Sequence, residues 1–442
     1  MTVRPIHYLG SKLRMLQAIK DSLDMVDTAN GTVCDLFCGS GTVSEYLLNY
    51  RDVISVDIQN YSKVLCTANM TSCKYKDAPS VIKEIQDTDI FGIFSPLIQY
   101  ERDCLKSEDI APLYEIIENG SLYIYQHGET PNLSAGLEEA IHGTFSLLQK
   151  AGKENSVDTM ITRYFGGIYF SYEQAVQMDA IEKYVFLHDG IVRDKLLAAL
   201  LSTASEIVNT VGKQFAQPLK VRNSQGKLKK SLRTKILKDR SLNVWEYYAK
   251  WLNYYFSICP PKHSYEAVCM DYADALDFLR GRQIAAIYAD PPYTRYHYSR
   301  YYHVLETMCL HDNPDVSTTF PNGKGGISRA VYRKDRHQSP FCIKSKAEGA
   351  FRTLFAKASR LDVPLVLSYS PYDSSKSAVT PRLQTIEQLI DLAKEYYDHI
   401  SIASPGHFVH SKLNSTENNF DDASHEAERL IICRKDGIDD SH

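Results

Sequence analysis

The chain has 442 residues, 44% of them hydrophobic, ten cysteines and a formal net charge of −4. A chain of this size buries a large core and divides into two domains, or one domain with a substantial insertion, while its near-neutral balance excludes a global pull toward nucleic acid, so any such binding must come from local basic patches. Cysteines without paired short spacings point to reduced thiols, and no signal-peptide core or membrane-length apolar window is found, so a cytoplasmic protein without a membrane partner is expected.

Residues 7–12 read HYLGSK and precede an apolar helical pattern over 13–25. Gly10, Ser11 and Lys12 form a turn opening that helix, where backbone N–H groups and a lysine are offered to an anion; the plain alternative is a solvated cap. Residues 32–43 read as a strand, a glycine turn and a helix continuing to about residue 50. Asp35 stands at the strand end, where it can accept a hydrogen bond, and Gly39 and Gly41 allow close approach to a ligand. A second strand, 53–57, ends on Asp57, an acid able to take both hydroxyls of a ribose, with Ile58 beside it. Strand, glycine turn, helix, strand, acid is shared by dinucleotide-binding and S-adenosylmethionine-binding folds. The turn is shorter than GxGxxG, and Phe37-Cys38-Gly39-Ser40-Gly41 favours the methyl donor.

After a helix over 61–73 the β/α alternation stops. Residues 77–263 read as an inserted, mainly helical domain with helices over 173–184, 192–211 and 244–256, while 91–100 and 121–125 fit helix or strand. Within it, 213–240 carries ten lysines and arginines against the single acid Asp239. Lys227, Lys229, Lys230 and Arg233 are its candidate phosphate contacts; a solvated loop is the alternative. The aromatic tract 245–256 recurs at three and four residues and reads as helix core.

The alternation resumes with a strand over 265–272 that ends on Asp271 and Tyr272, able to accept the amino group of a donor's adenine and pack on its ring. Asp274 competes for that role, and Asp271 also reads as a cap for a helix over 273–279. The apolar run 284–288 stops at Asp290 before two prolines that cannot continue a ladder. Tyr296, Tyr298, Tyr301, Tyr302 and His303 then crowd before a helix over 302–309. The loop 314–346 carries Lys324, Arg329, Arg333 and Arg336, the last three being candidate phosphate contacts. Helices over 347–360 and 383–397 and strands over 363–369, 400–403 and 429–433 complete the sheet, with a polar loop over 405–423. His297 with His303, and Cys309 with His311, lack the spacing of a zinc site, so no metal is expected. Cys38 reads as a packed thiol, and no Walker lysine follows the glycine turn.

The quartet Asp290-Pro291-Pro292-Tyr293 carries the chemistry. Adenine's exocyclic amine is a poor nucleophile because its lone pair is delocalised. A carboxylate from Asp290 and the Pro291 carbonyl, accepting its two N–H bonds, would draw the nitrogen toward a reactive geometry. Tyr293 offers a face to an unstacked base, an interaction worth about 1–3 kcal/mol. The ordered set of Tyr8 to Lys12, Phe37 to Gly41, Asp57, Asp271-Tyr272 and Asp290 to Tyr293 resembles the alpha-class N6-adenine DNA methyltransferases, over roughly residues 1–75 and 265–435. The resemblance implies an α/β, Rossmann-like methyltransferase fold: a mostly parallel seven-stranded sheet with helices on both faces. It divides the chain into a catalytic domain, 1–76 and 264–442, and an inserted target-recognition domain, 77–263. It places Tyr8, Lys12, Phe37, Gly39, Asp57, Asp271 and Tyr272 on S-adenosylmethionine, and Asp290 and Tyr293 on a flipped adenine in double-stranded DNA. A restriction endonuclease or other defence-system partner fits such an enzyme. RNA or cytosine N4 as the substrate, or a catalytically silent nucleic-acid-binding subunit, are the rival readings.

Overall fold

Four apolar runs, Val33–Asp35 (β1), Val53–Asp57 (β2), Ala286–Ala289 (β4) and Leu365–Tyr369 (β5), are buried along nearly their whole length, as strands covered on both faces require. With Tyr265–Cys269 (β3), His399–Ala403 (β6) and Arg429–Arg434 (β7) they form one sheet in the order β3-β2-β1-β4-β5-β7-β6. The five strands from β3 to β5 run parallel, and β7 enters antiparallel between β5 and β6. This computed structural model describes residues 4–10, 12–86, 90–128, 132–295, 297–318, 325–370, 383–404 and 428–436. Ser11, Tyr296, Lys324 and the polar loop 405–423 lie outside the described residues.

Helices cover both faces, as the α/β Rossmann-like reading requires. Leu16–Asp24, Thr42–Leu47 and Asn60–Met70 bury Leu16, Ile19, Val43, Leu47 and Cys66 against Val33, Val53, Tyr288 and Val366. On the other face, Tyr272–Phe278, Ala347–Ala358 and Ile386–Ala393 bury Leu276, Phe351, Leu354 and Leu389 against Cys34, Ile287 and Leu367.

The span from Ala78–Gln86 to Val244–Phe256 is helical, including both ambiguous stretches. Pro96 stands in the first turn of Ser95–Lys106, where its missing N–H costs nothing, and the Ser121 side chain caps Leu122–His127. In Val244–Phe256, Tyr248, Trp251 and Tyr255 are buried, so the aromatic tract is core. This helical span does not fold around a centre of its own. Its core runs without a break into Ile6, Tyr61, Leu65, Tyr302 and Val304, and Gly190–Ile207 packs on both Asn60–Met70 and Val244–Phe256. The Lys195 ammonium crosses the junction, donating to the Ala68 carbonyl at 2.9 Å and the Tyr255 carbonyl at 2.6 Å.

Candidate active site

The C-terminal ends of β1, β2 and β4 meet in a cleft enclosing about 990 Å³, its open mouth included. This is the edge at which an open parallel sheet presents its ligand crevice. Tyr8, Gly10, Lys12, Asp35, Phe37, Asp57, Ile58, Asp271, Tyr272, Asp290 and Pro292 all line it, so positions scattered over nearly three hundred residues of sequence converge.

The glycine turn after β1 is left-handed at Gly39 (φ 54°) and Gly41 (φ 80°), a region that suits residues without a Cβ. What crowds these glycines is the protein itself: a Cβ on Gly39 would lie 2.5 Å from the Tyr8 hydroxyl, and one on Gly41 2.8 Å from the Cys66 sulfur. Neither glycine lines the cleft. Asp57 fastens the turn to β2, its Oδ2 accepting from the Gly39 N–H at 3.0 Å while Oδ1 accepts from the Gln59 N–H at 2.9 Å. Burial pushes the Asp57 carboxyl up to about 6 against those hydrogen bonds. Asp35 is more deeply buried, and burial lifts it to about 7 although the Ser44 hydroxyl donates to Oδ2 at 2.6 Å. Its Oδ1 is buried on the cleft without a hydrogen-bond partner. Asp271 caps Tyr272–Phe278 through the Ala273 N–H (2.9 Å) and also lines the cleft, whereas Asp274 is exposed and lies outside it. Phe37, Tyr272 and Phe341 form an aromatic wall with centroids 5.0–5.8 Å apart. Cys38 is buried with its sulfur 3.6 Å from that of Cys66, a packed thiol.

At the β4 edge the Lys12 ammonium sits between two carboxylates, 2.8 Å from Asp290 Oδ2 and 2.6 Å from Glu428 Oε1. The anion expected beside Lys12 is therefore supplied by the protein. Burial opposes the charge on Lys12, but the two carboxylates outweigh it and hold its pKa well above the usual lysine value. For Asp290 burial dominates and lifts the carboxyl to about 6, with Lys12 pulling down and Glu428 pushing up. Pro291 and Tyr293 stand outside the cleft wall. The Tyr293 hydroxyl donates to Glu428 at 2.9 Å and its ring lies edge-on to Tyr369, because a half-buried phenol seeks the nearest carboxylate.

Residues 8–90, which hold the glycine turn and Asp57, match the family model described as D12 class N6 adenine-specific DNA methyltransferase. Three curated relatives align over most of the chain: modification methylase LlaI of Lactococcus lactis subsp. lactis (25% identical, 88% of this chain), type II methyltransferase M.NlaIII of Neisseria lactamica (23%, 80%) and type II methyltransferase M.FokI of Planomicrobium okeanokoites (24%, 83%). Over residues 8–90 the chain is similar to the D12 class N6 adenine-specific DNA methyltransferases. It spans about half the length of the first and third relatives, 49% and 44%, and 80% of the second. No solved structure matches it.

Several residues of this cleft escaped sequence reasoning. Glu428 is the main one, since 416 positions separate it from Lys12 and nothing near it in sequence marks it. Tyr288, His297, Tyr298, His337 and Phe341 also line the cleft. Tyr8 stacks against both Tyr298 and Tyr302 at centroid distances of 5.5 and 5.1 Å, so the tyrosine cluster after Asp290-Pro291-Pro292-Tyr293 buttresses the N-terminal motif. Glu306 accepts from the Asn60 N–H and Nδ2 and the Tyr61 N–H, capping the helix that follows the Asp57 turn.

The basic residues divide. Lys227 and Lys230 are exposed, and Lys229 and Arg233 half-exposed. In place of the phosphate-facing side chains expected at 329 and 333, the structure turns both guanidinium groups inward. Arg329 donates to the carbonyls of Ile117, Glu118 and Leu219. Arg333, 3% exposed, grips Asp312 with both nitrogens and reaches Asp335. No cluster of metal-ligating side chains occurs among the described residues, and none of their helices is long and apolar enough to cross a membrane.

Proposed function

We propose that this chain transfers a methyl group from S-adenosylmethionine to N6 of an adenine flipped out of double-stranded DNA, as the modification arm of a restriction-modification system. The observation that carries the reading is the joint wall: Asp290, at the catalytic strand's edge, lines the same cleft as Asp35, Asp57 and Asp271. The cleft fits the donor on three counts. Asp35 Oδ1 is a buried acceptor without a partner, suited to an ammonium. Asp57 is fixed by two backbone N–H groups with its carboxylate at the wall, suited to ribose hydroxyls. Phe37, Tyr272 and Phe341 with Ile58 give an apolar slot for a purine, with Asp271 at its rim.

When bound, the donor supplies an electrophilic methyl on a sulfonium. The chain's own residues present and orient the nucleophile. Asp290, lifted only to about 6, is ionised at neutral pH and accepts one amine hydrogen, and the Pro291 carbonyl accepts the other. Lys12 keeps that carboxylate charged inside a buried site. Methylation leaves one proton to depart from the nitrogen, and a carboxylate titrating near 6 is a competent acceptor. Lys227, Lys229, Lys230 and Arg233, exposed or half-exposed, reach the DNA backbone. The relatives' names, modification methylase and type II methyltransferase, support the paired role with an endonuclease.

The test is incubation of the purified chain with duplex DNA and tritium-labelled S-adenosylmethionine, then hydrolysis to nucleosides and mass spectrometry. N6-methyldeoxyadenosine is expected, and its loss in Asp290→Ala with donor binding retained. N4-methyldeoxycytidine, incorporation only into RNA, or no incorporation overturns the reading.

A further inference from the structure

On the loop that follows the catalytic turn, Arg333 is saturated by Asp312 and Asp335, yet Arg336, three residues on, has no carboxylate within ion-pairing distance among the described residues. Neither has Arg300, which stands in the short helix Tyr298–Tyr301. Both guanidinium carbons lie over the Tyr332 ring, 5.1 Å (Arg300) and 5.2 Å (Arg336) from its centroid, and an Arg300 Nη donates to the Tyr332 hydroxyl at 3.2 Å. Arg336 Nε is buried with no hydrogen-bond partner, and so is Nδ1 of His297 beside it. His297 and His337, the neighbours of these arginines in chain and in space, line the cleft with Asp290 and Pro292.

Two half-buried guanidinium groups packed on one ring repel each other, and burial removes the water that would screen them. Arg336 is depressed by burial first and by Arg300 next, and His297 by burial and then by Arg336 and Arg300. Such a cluster is retained at a cost unless an anion completes it. We propose that Arg300 and Arg336 are a phosphodiester subsite that grips the backbone phosphate of the nucleotide whose base enters the cleft. The inference rests on the DNA-methylation reading above and adds to it where the strand is held. Guanidinium pairs suit phosphate because each presents two parallel N–H donors. Tyr332 keeps both forks in place before the strand arrives, its hydroxyl bonded to the Ala216 carbonyl.

The experiment measures duplex binding by fluorescence anisotropy over a range of salt, with sinefungin as the unreactive donor analogue. It compares the full chain with Arg300→Gln, Arg336→Gln and the double variant, after thermal melts show that each is folded. One phosphate contact contributes a slope of about 0.9 in log K against log salt. Each variant should lose about that much, the double variant little more, and sinefungin affinity by calorimetry should be unchanged. An unchanged salt slope overturns the subsite, as does weakened sinefungin binding with the DNA slope intact, which would assign the pair to the donor's carboxylate. A duplex with a neutral methylphosphonate beside the adenine that the parent methylates should weaken the parent and leave the double variant unaffected; equal weakening of both overturns the placement. If the parent binds duplex with the expected slope but methylates nothing, the methylation reading fails and the subsite stands.

Discussion

Lys12→Met tests the reading of Asp290 as an ionised acceptor. In the parent the Lys12 ammonium lies 2.8 Å from Asp290, whose carboxyl titrates near 6, and 2.6 Å from Glu428. An opposite charge this close is worth about one to three pKa units, so its removal should carry Asp290 to roughly 7–9, with Glu428 now repelling it unopposed. At pH 7 the ionised fraction would fall from about nine tenths to about one tenth for a two-unit shift, a loss of about tenfold in kcat. The sign follows from the requirement for the charged form: the acid limb of the kcat profile moves upward, and activity returns by about pH 9–10. Glu428→Gln should do the reverse, since Glu428 raises Asp290 in the parent and its neutralisation lowers the limb. The assay is kcat at saturating donor and DNA from pH 5 to 10, on variants whose melting shows them folded. A uniform loss at every pH in both variants would refute the reasoning and leave the Lys12 bridge as scaffolding.

Other outcomes follow from the same site. Burial holds Asp35 near 7 in the folded chain, above its ordinary value, so folding takes up a proton between about pH 4 and 7 and stability falls as pH rises through that window; Asp35→Asn should therefore stabilise the donor-free protein more at pH 8 than at pH 5, by on the order of 2 kcal/mol in denaturant melts. Gly39→Ala places a Cβ 2.5 Å from the Tyr8 hydroxyl at a left-handed φ, and should cost about 1–2 kcal/mol of stability and weaken donor binding in calorimetry. Replacing Lys227, Lys229 and Lys230 together by glutamine should flatten the salt dependence of duplex binding by about two to three contacts; an unchanged slope assigns these lysines to solvent.

The fold was legible where a local pattern and its global environment coincide. The run 53–57 is a central strand buried on both faces, and its expected bounds match β2. The strand before Asp290 begins two residues later than its apolar run suggests, at Ala286, with Ala285 tied to the lead-in of β1 through its N–H to the Thr32 carbonyl at 2.7 Å. The two ambiguous stretches were settled by helix packing and by starts such as Pro96 and Ser121, whose meaning depends on the backbone around them. The cleft could be assembled from sequence because Asp35, Asp57, Asp271 and Asp290 stand at or just past strand ends, and parallel strands bring those ends together. Glu428 could not, since its tie to Lys12 exists only once β7 closes beside β5. The arginines show the same boundary from the other side: a charge run in sequence is blind to Asp312 and to the carbonyls that absorb Arg333 and Arg329.

The core that passes unbroken from the helical span into Tyr61, Leu65 and Tyr302, pinned by Lys195 on the Ala68 carbonyl, bears on how this scaffold can be re-engineered. A chimera that swaps residues 77–263 as a cassette would strip the cover from Asn60–Met70 and leave the Ala68 carbonyl without the ammonium that donates to it. New sequence preference is better sought by changing surface side chains in place than by transplanting the segment whole.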